Sequence, residues 1–532
     1  MAPPFYILAV VVLAFGAIPK GYDEGGFSAS VTLPAFKNDY ALQKSHWVGN
    51  ATGLANRTAN ITSFGVLGAA FGALIAYALN DKIGRLWSFR LAVLVWASGT
   101  LMQVFSSGIF GFLLFARIWS GLGSGGLTVV SPLFLSEIAP TKSRGMIVSI
   151  YMVVLLSFLT LGFFINYGVS KHMAQGRSQW QIVQAIPLIP VGAAFIASFL
   201  IPDSPRWLAS KGRHQESVAA LTRLRGASCD DPTLLAEHER LSLEANALVE
   251  TSNRSMWEVA KECFSTPSLR NRYFLAVAMH TVAQWSVNSH SFTVLQWTDL
   301  HLRTGGNGIT YYISDIFQYA GIHGSETSLI TSGAYGLVKL FVTMIFAWGL
   351  IDRIGRRRCF LAGLTLQGIT HIYMAIYFGA ISQGNAHASN AAIASVFVYA
   401  TGWSLGLCTI PYIYGAEIFP TKTRSLAYAT TMGLHWFFQF TVVRVTPVML
   451  AALDKWGAYV FWSMVCAIGI VLLGLWAPET KGVPLERMQE LFEYPWYRCG
   501  RARLAPQDDL FDTFAEKGGV YAVEHHETKG RA

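Results

Sequence analysis

"DKIGR" at Asp81–Arg85 returns as "DRIGR" at Asp352–Arg356, and "EIAPTKSR" at Glu137–Arg144 returns as "EIFPTKTR" at Glu417–Arg424. Both pairs follow apolar blocks, and they recur in the same order. Chance similarity between basic loops does not produce two long ordered matches. The chain is therefore read as an internal duplication with parallel topology, in which two like halves face each other.

Working outward from the repeats, apolar blocks run over 6–18, 61–79, 89–105, 109–135, 146–169, 182–201, 273–285, 328–351, 359–381, 391–416, 426–450 and 457–477. Each is near the length a helix needs to cross roughly 30 Å of hydrocarbon. With 13% charged residues and a mean hydropathy of +0.39, the chain is too apolar for a soluble protein of 532 residues. The sequence predicts an all-α membrane protein with twelve transmembrane helices in two six-helix bundles, 1–201 and 272–477. Between them, 202–271 is a polar helical linker, with helical stretches at 214–225 and 233–249, and 478–532 is a polar tail. Beyond about residue 500 the tail composition predicts disorder. The first block is no cleavable signal, because no positive charge precedes it and GYDEGG (21–26) follows.

Basic residues gather in alternate short loops: Lys82, Arg85 and Arg90; Lys142 and Arg144; Arg353 and Arg356–Arg358; Lys422 and Arg424. The positive-inside rule puts these loops, the linker and both termini in the cytoplasm. This accounts for the +9 net charge without nucleic acid. The loop before the second block then lies outside and carries three glycan acceptor patterns, at Asn50, Asn56 and Asn60. The same pattern at Asn253, in the cytoplasmic linker, shows how weak each is alone. Six scattered cysteines have no metal spacing, and no nucleophile–base arrangement stands out; His525 and His526 lie in the tail. The expectation is a non-enzyme without metal or cofactor, working as a monomer in a lipid bilayer. Gly121, Gly123 and Gly126 match a dinucleotide pattern, but no strand precedes them, so close helix packing is expected.

The motifs GYDEGG, DKIGR, RIWSGLGSGG (117–126), PLFLSEIAPTKSRG (132–145), PDSPRWL (202–208), DRIGRRR (352–358), YGAEIFPTKTR (414–424) and PETKGVPLE (478–486) resemble the sugar porter family of the major facilitator superfamily. Fungal members are the most similar. The resemblance spans residues 8–495 and implies a central monosaccharide-sized site, alternating access and, often, proton coupling. It makes Asp23 and Arg117 the proton-coupling pair. Asp81, Arg85, Glu137, Arg144, Asp352, Arg356, Glu417 and Arg424 become cytoplasmic gate residues, with plain topology-setting charge as the alternative. By position, Gln284, Asn307, Lys339, Tyr412, His435, Trp436 and Gln439 bind substrate, with Tyr311 and Tyr312 at the outer gate.

Several positions depart from the family pattern. Lys20 stands where an aromatic residue is common, Met152 and Ala283 replace glutamines, and Tyr412 replaces a tryptophan. Lys339 is a cation inside a span, where insertion costs roughly 2.5–3.5 kcal/mol unless it is compensated. It faces either an acidic substrate or a neighbouring carboxylate. The expected function is import of a monosaccharide across the plasma membrane by proton symport; alternatively the substrate is a sugar acid or quinate. Uniport and a transporter-like nutrient sensor are further readings, the latter disfavoured by the short tail.

One stretch breaks the pattern: QWSVNSHSFTVLQWTDLHLRTGGNGITYY, Gln284–Tyr312. Removing 287–304 joins QWS to GGNGITYY and makes Gln284 and Asn307 parts of one substrate-binding motif. A polar excursion inside a spanning helix exposes backbone to lipid or fills the cavity. The codons allow a donor GT at Trp285-Ser286 and an acceptor AG at Arg303. The segment reads as a retained intron, or else as a real insertion that extends an outer loop or inactivates the carrier.

Overall fold

A computed structural model describes residues 4–43, 45, 51–140, 144–226, 256–286, 325–380, 386–454, 456–481, 483 and 485–502, with scattered positions between 228 and 242. Nine of its helices have the length and composition of membrane spans. These are Phe5–Ser30 (span 1), Asn56–Ile83 (span 2), Phe110–Ile138 (span 4), Gly145–His172 (span 5), Arg177–Leu200 (span 6), Leu329–Leu350 (span 8), Arg356–Ala380 (span 9), His387–Gly415 (span 10) and Trp456–Trp476 (span 12). Three more helices, Arg85–Val104 (span 3), Pro267–Trp285 (span 7) and Thr421–Ala452 (span 11), bring the number to twelve. These three carry buried polar residues such as Arg90, His280 and Gln439, which lower their hydropathy.

The duplication is visible in the backbone. Span 3 starts after Gly84 and span 9 after Gly355, at φ of +93° and +102°. Only glycine enters that region cheaply, which explains the shared Ile-Gly-Arg of the two loops. Each new helix is then capped from a distant carboxylate. The Leu86 amide donates to Asp203 Oδ1 at 3.2 Å, and the Arg356 amide donates to Glu479 Oε1 at 2.9 Å. PDSPRWL and PETKG therefore occupy corresponding places in the two halves.

Span 1 is longer than its apolar block because GYDEGG continues the helix as a π-turn over Asp23–Phe27. Such turns widen a helix locally and often mark functional sites. Gly21 and Gly25 lie directly on the carbonyls of Leu155 and Leu159 in span 5, where a Cβ would collide. In span 4, Gly121 and Gly125 lie on the backbone of span 2, and Gly123 lies on span 3 at Ala92 and Trp96. The glycine stripe serves helix packing, as expected.

The bundles meet where span 2 packs on span 11 and span 5 packs on span 8. Gly433 sits under Leu74, and Gly336 sits under Thr160. Large apolar side chains such as Phe71, Leu94, Ile189, Ile196, Trp348, Ile369 and Val471 point outward, as a lipid-facing belt requires. Polar helices Pro205–Ser210, His214–Arg225 and Met256–Ser265 lie between the halves in sequence. Leu491 and Phe492 of the tail join the core of the second bundle, beside Leu275 and Phe360.

Candidate substrate site and its ion pairs

The first bundle supplies two ion pairs from one helix turn. Asp23 faces Arg117 of span 4 end on; Arg117 Nη1 donates to Oδ1, and Nη2 donates to Oδ2 at 3.2 Å. Arg117 is 2% exposed and is also held by the carbonyls of Ile61 at 3.0 Å and Thr62 at 3.4 Å, with its guanidinium 3.8 Å from the Phe27 ring centre. The Asp23 side chain is 23% exposed. The carboxylate is thus reachable while the guanidinium is locked in place and keeps partners of its own. Beside this pair, Lys20 Nζ lies 2.6 Å from Glu24 Oε1, and both residues are buried.

The second bundle supplies a polar network around His435. Tyr412 Oη lies 3.2 Å from its Nε2, Gln284 Nε2 lies 3.0 Å from the same atom, and His280 Nδ1 lies 3.1 Å from its Nδ1. In the tautomer with the proton on Nδ1, His435 donates from Nδ1 to His280, and the single Nε2 lone pair is shared between Tyr412 and Gln284. Spans 7, 10 and 11 are thereby joined by side chains that motif matching assigned to the substrate, together with His280, which it did not assign.

The two halves meet at Trp436 and Gln439. Trp436 Nε1 donates to Thr128 Oγ1 of span 4 at 3.1 Å, and Lys20 Nζ lies 4.3 Å from the Trp436 ring centre. Gln439 Nε2 reaches Glu24 Oε1 at 3.5 Å. Lys339, on span 8, is 1% exposed, with its Nζ 3.7 Å from the Trp403 ring centre and 5.3 Å from that of Tyr335. Buried cations, amides and aromatic faces are thus gathered between the bundles.

On the cytoplasmic side, Glu137 receives Arg85 Nε at 3.1–3.2 Å and Nη2 at 3.0 Å, while Arg85 Nη1 lies 3.3 Å from Asp81. Ser204 Oγ of the linker also donates to Glu137. In the second half, Arg356 Nη2 lies 3.8 Å from Glu417, and Arg424 Nε donates to the Phe419 carbonyl at 3.1 Å. Each of these contacts lies within one half and its attached linker or tail. Burial pushes the Asp203 carboxyl above its ordinary range, against the Ser204 and Leu86 amides and the nearby Arg85. Asn56 and Asn60 fall in the first turns of span 2. Asn50, Asn307, Tyr311, Tyr312, the segment 287–304 and the side chains of Arg144 and Asp352 lie outside the described residues.

Residues 9–492 match the family model "Sugar (and other) transporter". This chain belongs to that family. It is 30% identical to a probable quinate permease of Aspergillus niger, over 98% of this chain and 96% of the relative. It is also 30% identical to the quinate permease of Neurospora terricola, over 91% and 88%. Among solved structures it is similar to the proton:xylose symporter XylE bound to 6-bromo-6-deoxy-D-glucose. The TM-score is 0.74 at 19% identity, covering 92% of this chain and 99% of that one. The inward open conformation of XylE from E. coli matches with a TM-score of 0.67 at 17% identity, covering 91% and 98%. The fold is that of the major facilitator superfamily, and the chain is a transporter rather than an enzyme.

Within this sugar transporter, two groups of residues escaped motif matching. Asp203 and Glu479 were visible only as parts of signature strings, and their shared role as helix caps needs the tertiary contacts. Gln367 and His371 of span 9 hold the end of span 7. Ser286 Oγ donates to Gln367 Oε1 at 3.1 Å, and His371 Nε2 donates to the Ser286 carbonyl at 2.8 Å. Their sequence signal was slight, a glutamine and a histidine four apart in an apolar block.

Proposed function

We propose that this carrier imports a polyhydroxylated carboxylate of the quinate class, with a proton, by rocking its two bundles (1–201 and 272–477) about the central site. The observation that carries this reading is the presence of two buried lysines inside spans, Lys20 against Trp436 of the other half and Lys339 against Trp403. A neutral sugar offers only hydroxyls, which need amides and aromatic faces. A carboxylate also draws charge-assisted hydrogen bonds from ammonium groups, which a hydroxyl does not match. The quinate permeases among the relatives support the same substrate class. Asp23 is the proton site, because its carboxylate is accessible while Arg117 keeps the Ile61 and Thr62 carbonyls when Asp23 is neutralised. The cytoplasmic clusters around Arg85–Glu137 and Arg356–Glu417 hold the helix ends of each half together at the inner mouth while the bundles rock. The membrane is the plasma membrane, with both termini inside and the Asn56 and Asn60 acceptors at the outer end of span 2.

A second reading, transport of a neutral monosaccharide, is favoured by Gln284, Tyr412, Trp436 and Gln439, a set suited to ring hydroxyls and a sugar face. Uptake of labelled quinate, galacturonate, glucose and xylose into transporter-null cells separates the two readings. Quinate or galacturonate uptake that collapses with a protonophore is expected. Glucose uptake unaffected by excess quinate refutes the carboxylate reading, and accumulation that survives the protonophore refutes symport.

A further inference from the structure

His280 of span 7 is fully buried, yet only one of its ring nitrogens is used. Its Nδ1 lies 3.1 Å from His435 Nδ1, while its Nε2 meets no hydrogen-bond partner among the described residues. A neutral imidazole carries one proton and one lone pair. Of two facing Nδ1 atoms, one must donate and the other accept, and that choice fixes the outer nitrogen of both rings. If His435 donates, His280 keeps its own proton on Nε2, as an orphaned N–H in the core. Orphaned buried N–H groups are rarer in folded proteins than under-used acceptors. If His280 donates, its orphan is only a lone pair. His435 then carries its proton on Nε2, which faces Tyr412 Oη at 3.2 Å.

We propose that His280 is a positioning residue that sets the direction of a hydrogen-bond chain ending on the substrate. His280 Nδ1 donates to His435 Nδ1, His435 Nε2 donates to Tyr412 Oη, and the Tyr412 hydroxyl is left to donate to a substrate carboxylate. The Gln284 amide, whose end lies 3.0 Å from His435 Nε2, turns its oxygen to share that same proton. Exposure rises along the chain, from 0% at His280 and 5% at His435 to half-buried at Tyr412. The unused lone pair thus lies in the core, and the unused donor lies at the accessible end. Run the other way, the chain would spend the Tyr412 proton inward and leave its oxygen to accept from a sugar hydroxyl. Direction therefore decides between an acceptor and a donor on the substrate, and successive donors polarise one another toward the open end. This rests on the carboxylate reading above and deepens it: an uncharged side chain of span 7, out of reach of the substrate, selects against a ligand that offers only hydroxyl donors at this point.

The test reads the tautomers directly. The full-length carrier, grown with isotope-labelled histidine, is reconstituted in proteoliposomes for solid-state NMR near neutral pH. The ring resonances of His280 and His435 are assigned from the signals lost in His280→Asn and His435→Gln. Protons on His280 Nδ1 and His435 Nε2 are expected. A proton on His435 Nδ1 or on His280 Nε2, in a neutral or a charged ring, overturns the proposal. Transport supplies the second readout, as the KM for labelled quinate and its competition by quinate and by quinate methyl ester. Tyr412→Phe should weaken quinate tenfold or more and the ester by no more than about threefold, because hydrogen bonds to a charged group are the strong ones. His280→Leu should lose the same preference for acid over ester, whereas His280→Asn, with an amide donor in the place of Nδ1, should keep it. Equal weakening of acid and ester in both Tyr412→Phe and His280→Leu makes the contacts merely structural and overturns the proposal. The wild-type spectrum and His280→Asn cover the case of a His280→Leu carrier that does not fold. A wild type that carries glucose but neither quinate nor galacturonate removes the carboxylate reading, while the tautomers of the empty carrier still decide the direction of the chain.

Discussion

Replacing Asp23 by Asn should convert the carrier from an accumulating symporter into an equilibrating exchanger. The two side chains have nearly the same shape, and Asn Oδ1 still accepts one Arg117 donor. Arg117 also keeps the Ile61 carbonyl at 3.0 Å, the Thr62 carbonyl at 3.4 Å and the Phe27 face. The usual penalty for breaking a buried ion pair, about 3–5 kcal/mol, is reduced by these contacts and by the partial exposure of Asp23. A stability loss nearer the 1–3 kcal/mol of an imperfectly satisfied buried group is expected. The functional effect is larger. With one titratable carboxylate in the pair, one proton moves per cycle, and one pH unit supplies about 1.36 kcal/mol, a tenfold gradient. Proteoliposomes loaded one pH unit above the outside medium, with the membrane potential clamped, should concentrate labelled quinate roughly tenfold with the wild type. With Asp23→Asn they should stop at equality, while exchange of internal for external substrate continues. Tenfold accumulation by the variant would refute the assignment of Asp23 as the proton site. Loss of exchange with a normal melting temperature would instead make the pair a structural requirement of the cycle.

Three shorter expectations follow from the cytoplasmic face and the interrupted span. Glu137→Ala removes the partner of Arg85 and the acceptor of Ser204 within the first half, so the fold should lose roughly 3–5 kcal/mol; this is read as a lower melting temperature of the purified carrier. Asp203→Asn should raise the melting temperature near neutral pH, because burial pushes the native carboxyl above its ordinary range and its ionised form therefore costs stability. As pH falls through that raised value, the wild type becomes neutral too and the difference should vanish; a difference that grows on acidification contradicts the sign. Sequencing the mature transcript should show no codons for 287–304, and the carrier lacking them should outperform the full chain in uptake. A message that retains VNSHSFTVLQWTDLHLRT sinks the intron reading.

The amino-acid sequence by itself determined the spans, the duplication and the family, because these rest on local composition and on strings that recur in order. Apolar length decides what crosses a bilayer, and Gly84 and Gly355 serve a backbone turn that few other residues make. Asp23 and Arg117 could likewise be paired from motif position, since a charge inside a span needs a partner. The apolar block of span 1 ends near residue 18, but in the fold the acids of GYDEGG are compensated by Lys20 and Arg117 and the helix continues. Tertiary structure alone decided which side chains share the centre. His280 meets His435 across 155 residues, Gln439 reaches Glu24 across 415, and Trp436 meets Thr128 across 308. It alone gave Asp203 and Glu479 one role in the two halves. It also set the Lys20–Glu24 pair of span 1 against Trp436 and Gln439 of the opposite bundle. The physical reason is range: hydrophobic periodicity and turn chemistry act between near neighbours in the chain, but a charge is compensated by whatever the packing brings within a few ångströms.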